Sequence, residues 1–371
     1  MLAKRFEKLS PYVPGEQPKD RVYVKLNANE NPYPPHKSVA KAIAKAVKSS
    51  IEKIGLYPDP DSKTLRNEIA LMLNKTGGVL GNKNAKLPFE LTGENIFCGN
   101  GSDEVLSFVF YTFFDSDRPI VMPEHTYSFY PVYCGFYGIP MNRIPLKENW
   151  ELDSDKMLSE AEKTDSSIIF ANPNAPTGIA LKAQEVAQMI RKAPKDKVFV
   201  VDEAYCDFAE ESCIPLLAEF KNLIIVRTFS KSLSFAGQRL GYVVASPELI
   251  QAIFTVKNCF NHFPVDFITQ QAGIASCKAY DYYAENAAKI IQERESLTEF
   301  LRSRSWFVID SKTNFIFAKK DGISGEEIYR KVKSAGILIR HFSTPGIEDF
   351  VRISIGTEKQ NKALKSVLET L

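Results

Sequence analysis

Short apolar runs in this chain end repeatedly in side chains capable of chemistry. Val198-Phe199-Val200-Val201 runs into Asp202, with Tyr205 close behind. Leu223-Ile224-Ile225-Val226-Arg227 runs into Thr228-Phe229-Ser230-Lys231-Ser232, and Arg239 follows. Ile96-Phe97-Cys98 runs into Gly99-Asn100-Gly101-Ser102 and then Asp103-Glu104. Ser167-Ile168-Ile169-Phe170 runs into Asn172-Pro173-Asn174-Ala175-Pro176-Thr177-Gly178.

Each ending has a bland reading and a chemical one. A G-x-G turn is often only a tight strand-to-helix connection; the same glycines before a helix N-terminus form a phosphate cradle. A dinucleotide fingerprint would put its third glycine where Glu104 stands, and that charge opposes a pyrophosphate. Asp202 is either a helix cap or a buried carboxylate holding a cationic heterocycle nitrogen beside the Tyr205 hydroxyl. Lysine at a strand end is usually solvated, but Lys231 sits among Ser, Gly and apolar residues, where a desolvated amine can form a Schiff base. Ser230 and Arg239 can donate to a phosphate. The Asn-Pro and Pro-Thr-Gly steps are turn chemistry in any case. Together the groups suit one cofactor, with an aldehyde for the lysine, a ring nitrogen for the aspartate, a phenolic oxygen for the tyrosine and a phosphate for the rest: pyridoxal 5'-phosphate.

Those residues need a scaffold that brings strand ends together. The 371 residues carry Lys+Arg 47 against Asp+Glu 45, a net charge of +2, and 44% hydrophobic residues. This is the balance of a globular protein, and without a dense basic run it argues against nucleic acid or a membrane as partner. The start, MLAKRFEKLS, lacks a signal-peptide core, so a cytoplasmic protein is expected. The 6 cysteines are scattered without C-x-x-C spacing, and His36, His125, His262 and His341 form no H-E-x-x-H pair, so no metal site is expected. Strands are expected at 94–98, 119–122, 167–170, 197–201, 222–227 and 241–245, with helices between, for example 103–113 and 182–192. That alternation predicts an α/β fold with a mainly parallel central sheet sandwiched by helices. The C-terminal third reads as a long helix over 280–302 with strands at 314–318 and 350–355. The organisation expected is an N-terminal arm (1–50) belonging to a smaller α+β domain, a large domain (51–265) and the rest of the small domain (266–371).

The pattern resembles the fold-type I pyridoxal-phosphate-dependent aminotransferases, and within them the histidinol-phosphate group, over nearly the whole chain. The pieces that carry the resemblance are Pro11-Tyr12-Val13-Pro14-Gly15, Leu26-Asn27-Ala28-Asn29-Glu30-Asn31-Pro32, Tyr57-Pro58-Asp59, Gly99 to Glu104, Thr126-Tyr127-Ser128, Asp202-Glu203-Ala204-Tyr205, Phe229-Ser230-Lys231-Ser232 and Arg352 to Thr357. The resemblance implies that Lys231 carries the covalent link and shuttles a proton. It likewise implies that Asp202 keeps the ring nitrogen protonated, that Tyr205 bonds the phenolic oxygen and that Tyr127 stacks on the ring. Ser230, Arg239, Ser102, Asp103 and the Gly101 backbone would hold the phosphate. Tyr57 would reach the phosphate of a neighbouring subunit, making a homodimer with shared active sites. Tyr12, Asn29, Asn100, Arg340 and Arg352 would line a pocket for histidinol phosphate and for glutamate or 2-oxoglutarate. Ala175 stands where most relatives have an asparagine on the phenolic oxygen, so Asn172 or Asn174 is expected to substitute. The residue-level alternatives are an edge-strand role for Arg340 and Arg352 and packing on proline for Tyr12 and Tyr57. An aromatic amino acid aminotransferase or a threonine-phosphate decarboxylase shares the same fold.

Overall fold

The computed structural model describes residues 2–49, 51–81 and 86–371. The N-terminal arm gives the short strand β1 (Val24–Lys25), then α1 (Lys37–Ser49), α2 (Ile51–Ile54) and α3 (Lys63–Thr76). Near-continuous apolar runs follow, the pattern of strands covered on both faces. They fold as β2 (Ile96–Gly99), β3 (Ile120–Pro123), β5 (Ile168–Ala171), β6 (Phe199–Asp202), β7 (Leu223–Thr228) and β8 (Gly241–Ala245), with the half-exposed β4 (Met141–Ile144) between β3 and β5 in the chain. Between them lie α4 (Gly101–Phe113), α5 (Tyr130–Tyr137), α6 (Ser154–Lys163) and α7 (Ala183–Lys192). The chain closes with α8 (Pro247–Phe260), α9 (Phe267–Lys278), α10 (Tyr280–Arg302), β9 (Trp306–Val308), β10 (Phe315–Lys320), α11 (Gly325–Ser334), β11 (Ile337–Leu338), β12 (Arg340–His341), β13 (Val351–Ser354) and α12 (Glu358–Leu368).

The seven-stranded sheet has the order β2-β8-β7-β6-β5-β3-β4, and only β8 runs against its neighbours. Side chains alternate between two cores, as strand geometry requires. Phe199, Val201, Leu223 and Ile225 enter one core, and Val200, Ile224 and Val226 enter the other. β4 was not anticipated from the sequence. Its Met-Asn-Arg-Ile is half exposed at the sheet edge and lacks the apolar run that marks an interior strand.

A four-stranded antiparallel sheet, β12-β13-β10-β9, carries the second unit, and β1 pairs with β11 in parallel beside it. Its core joins Leu26 of the arm to Ile290 and Leu297 of α10, Phe315, Ile353 and Leu364. The boundaries expected at 50/51 and 265/266 separate helices that pack together. α9 packs on α1 and α3, and Val39, Leu65, Ala272 and Cys277 share the large sheet's core. Their apolar faces could not be assigned to a sheet from sequence alone.

Register places the chemistry. Ala171, Asp202 and Val226 are neighbours across β5, β6 and β7, while Gly99, Gly241 and Thr228 are neighbours across β2, β8 and β7. The exits of the parallel strands and the entrance to β8 therefore share one edge. Gly241 makes that closeness possible, because a Cβ there would stand 2.4 Å from Ser102 N and 2.5 Å from Gly101 C. Gly241→Ala should push the first turn of α4 away and cost about 1–3 kcal/mol, as overpacking does. The control is Gly237→Ala, where a Cβ meets nothing within 4 Å. Denaturant unfolding should show a lower midpoint for the first variant only.

Candidate active site

Two adjoining chambers open at this edge, and Lys231, Tyr205, Tyr127, Ala28 and Ala175 line both. Asp202 lies at the floor of the inner one, 3% exposed. The Tyr130 hydroxyl donates to Oδ2 at 2.8 Å and the Ala204 N–H to Oδ1 at 3.1 Å. These bonds favour the carboxylate, but desolvation outweighs them and pushes Asp202 up to about 6. A buried carboxylate with hydrogen bonds but no paired cation is suited to a cationic N–H. Lys231 Nζ donates to the Ala28 carbonyl at 3.3 Å and stands 5.5 Å from the Tyr205 ring centre. The Tyr205 hydroxyl accepts from Asn29 Nδ2 at 3.0 Å, and its ring meets Phe315 edge-on.

The far wall of the inner chamber is built for an anion. Gly101, the first residue of α4, has φ 78°, and a Cβ there would lie 2.4 Å from Arg239 Nη2. Only glycine lets that guanidinium sit over the helix N-terminus, where free N–H groups favour negative charge. Arg239 itself has φ 55° and bonds Asp103 Oδ2 at 2.9 Å. Tyr127 donates to Asp103 Oδ1 at 2.8 Å; burial and that carboxylate hold its phenol well above the usual range, so it remains a donor. Ser102 and Ser230 complete the wall.

The outer chamber carries Arg340 and Arg352 on paired strands, directly opposite each other. Like charges across a ladder repel. Burial, with Arg340 adding to it, lowers the proton affinity of the Arg352 guanidinium. Arg352 Nε is shut off from solvent with no partner. An anion between the two would relieve both defects. Tyr12 lines the same chamber, its ring 5.2 Å from that of Phe129. Asn29 lines it as well.

Four expected residues stand elsewhere. Asn100 is exposed ahead of α4, its main-chain N–H bonded to Glu104, and it lines neither chamber. The helix that starts beside it turns its side chain outward. Asn172 lines neither chamber, and its amide donates to the Leu181 carbonyl and accepts the Leu181 N–H. Asn174 donates to the His125 carbonyl and to Thr177 Oγ1. Tyr57 is 83% exposed, stacked on Phe263 at 4.5 Å, and lines neither chamber of its own chain.

Sequence reading missed the groups behind the site. Tyr130 and Tyr133, which bonds the Asp103 carbonyl, follow Tyr127 at helical spacing, and that period was the available signal. Arg227, 3% exposed, bonds Glu203 Oε2 at 2.9 Å and Asp207 Oδ1 at 3.0 Å, and Ser232 donates to Asp207 Oδ2. No local spacing signals this cluster, since its members come from different strand exits.

Residues 21–368 match the family described as Aminotransferase class I and II. The histidinol-phosphate aminotransferase of Syntrophus aciditrophicus (strain SB) is 44% identical over 372 residues, covering 100% of this chain and 98% of the relative. That of Acinetobacter baylyi is 41% identical over 361 residues, covering 97% and 94%. The crystal structure of histidinol-phosphate aminotransferase from Sinorhizobium meliloti in complex with pyridoxal-5'-phosphate superposes with a TM-score of 0.85 at 24% identity, covering 100% and 98% of the two chains, which establishes a common fold.

Asp202 yields a test of its own. The folded carboxyl binds a proton up to about pH 6, whereas the exposed group releases it near 3.8. Without cofactor, the folded state therefore holds more protons across that window, and stability is lost as pH rises through it. Two pKa units correspond to roughly 3 kcal/mol. Cofactor-free Asp202→Asn should be more stable than wild type by on the order of 2–3 kcal/mol at pH 8, and by about half that at pH 5. A pH-independent difference in unfolding free energy would count against the buried, uncompensated carboxylate.

Proposed function

The chain belongs to the class I and II aminotransferase family, and we propose that its two chambers transfer the amino group of histidinol phosphate to 2-oxoglutarate, giving imidazole acetol phosphate and glutamate. The cofactor is pyridoxal 5'-phosphate. One observation carries the reading: a lysine, an uncompensated buried carboxylate and an anion wall share a chamber, and an arginine pair with an unpartnered N–H lines the next. The full-length relatives described above supply the donor's identity.

The residues present fit that cofactor. Gly101 yields its Cβ space to Arg239, which with Ser102, Ser230 and the start of α4 makes a phosphate seat. When bound, the cofactor supplies an aldehyde that captures the substrate's amino group and a ring that delocalises charge as the Cα proton departs. Lys231 Nζ is the group placed to take that proton and return it. Asp202, held by Tyr130 and Ala204, keeps a ring N–H bonded through a carboxylate oxygen. Arg340 and Arg352 take the substrate's phosphate, or a carboxylate of glutamate, because a guanidinium fork fits either anion. Tyr12 against Phe129 shields the outer chamber from water.

The acting unit in this reading is a homodimer. Tyr57, Leu56 and Phe260 are all strongly exposed, and Tyr57 has no place in its own chambers, which supports insertion into a neighbour's phosphate seat. Six free cysteines support a cytoplasmic setting. Among the described residues no helix is long and apolar enough to cross a membrane.

Steady-state assays with histidinol phosphate and 2-oxoglutarate, compared with phenylalanine and tyrosine as donors, test the substrate. Arg340→Ala should lower kcat/KM for histidinol phosphate by at least ~10-fold, a charge-assisted hydrogen bond being worth about 1.5–3 kcal/mol. An enzyme that prefers the aromatic donors, with Arg340→Ala harming both classes equally, would be an aromatic aminotransferase instead. Lys231→Ala should be inactive. Mixing Lys231→Ala chains with Tyr57→Ala chains should restore part of the activity, since one site of each hybrid holds both native groups. Absence of rescue in demonstrably mixed dimers would remove Tyr57 from the partner's site.

A further inference from the structure

The hydrogen bonds around Asn29 fix which way its amide faces, and that leaves the proton of the Tyr205 hydroxyl free for the chambers Tyr205 lines. Asn29 is 1% exposed and lies in left-handed backbone at φ 53°, a region asparagine tolerates. Its main-chain N–H donates to Ser354 Oγ at 2.8 Å. The single proton of that hydroxyl goes to Asn29 Oδ1 at 3.0 Å. With the amide oxygen so assigned, Nδ2 faces the Tyr205 hydroxyl at 3.0 Å and donates to it. The reversed amide would leave the Ser354 O–H, itself 3% exposed, without an acceptor, a costly state for a buried donor. Asn314 Nδ2 donates to the Asn29 carbonyl at 3.0 Å and fixes the backbone as well.

A tyrosine hydroxyl has one proton and two lone pairs. Because Tyr205 accepts from Asn29, its own proton is free for a partner in the chambers it lines, one of them shared with Asp202, Ser230 and Lys231. Ala175 adds no polar side-chain atom to that wall, and Asn172 and Asn174, bonded to Leu181 and to His125 and Thr177, do not line the chamber. Tyr205 is thus left as the side-chain donor at this position. We propose that Asn29 is a positioning residue: it turns the Tyr205 proton onto the phenolic oxygen of the cofactor. Through Ser354 and Asn314 it also makes that donation depend on the β13-β10 sheet. The inference rests on the reading that the chamber holds pyridoxal phosphate.

The measurement is the pH titration of visible absorbance in the cofactor-loaded protein. A donor on the phenolic oxygen draws charge away from the conjugated nitrogen joined to Lys231 and lowers its proton affinity, so losing the donor raises the midpoint. Tyr205→Phe should raise it by about one pH unit, and Asn29→Gly, which retains left-handed freedom, by about half a unit or more. Adding Asn29→Gly to Tyr205→Phe should produce no further rise. Ser354→Ala releases the amide to turn over and should shift the midpoint in the same direction; it replaces Asn29→Gly should that variant fail to fold. The inference is overturned if Tyr205→Phe moves the midpoint while Asn29→Gly and Ser354→Ala do not. It is also overturned if Asn29→Gly acts equally in the Tyr205→Phe background. An unmoved midpoint in Tyr205→Phe would overturn the placement of Tyr205 against the cofactor, and the inference with it.

Discussion

The guanidinium of Arg227 sits where the exits of β6 and β7 meet, and the active-site edge is tied to it. It bridges Glu203 and Asp207 on one side and the Gly78 carbonyl on another, while Asp207 also takes the Ser232 hydroxyl and the Leu80 N–H. Asp202 precedes this cluster by one residue and Lys231 precedes Ser232 by one, so the two groups with the largest chemical tasks are anchored through their neighbours. Removing one member of such a buried set leaves an unpaired charge, far costlier than never having built it. That cost makes the arrangement rigid, and rigidity is what the proton transfer proposed for Lys231 needs.

Around that anchor the chambers hold charges that the chain does not balance. Asp202 has hydrogen bonds but no paired cation, and Arg340 and Arg352 face each other across a strand pair. In a folded protein standing alone these are defects, visible as a raised carboxyl and a guanidinium with an orphaned Nε. Both would be resolved by the ligands proposed above, a ring N–H in one chamber and a phosphate or carboxylate in the other. Local instability at a site is the usual counterpart of function.

The two units of the fold meet at the same place. Tyr205 comes from the exit of β6, Asn29 from the N-terminal arm and Ser354 from β13, and hydrogen bonds join them in sequence. Arg340 and Arg352 come from the second sheet and Lys231 from the first, yet all line one chamber. The chambers therefore lie in the cleft between the sheets, with Asn29 as a polar tie across it.

The sequence by itself determined the strands buried on both faces, since long apolar runs leave few alternatives, and the residues just beyond them, since open α/β sheets present their strand ends to ligands. That Lys231, Asp202, Tyr205, Ser230 and Arg239 come together in one chamber was legible for that reason, as was α10, found over the expected residues. The exposed edge strand β4, the assignment of α1 and α9 to the large sheet's core and the aim of Asn100, Asn172 and Asn174 were not. An amphipathic helix declares that it has an apolar face but not which core receives it, and an asparagine in a turn serves equally well as a cap, a brace or a ligand. Tertiary structure decided among those roles through contacts between residues far apart in the chain, such as Asn29 with Tyr205 and Ser354, where each partner's hydrogen-bond capacity fixes what the next can do.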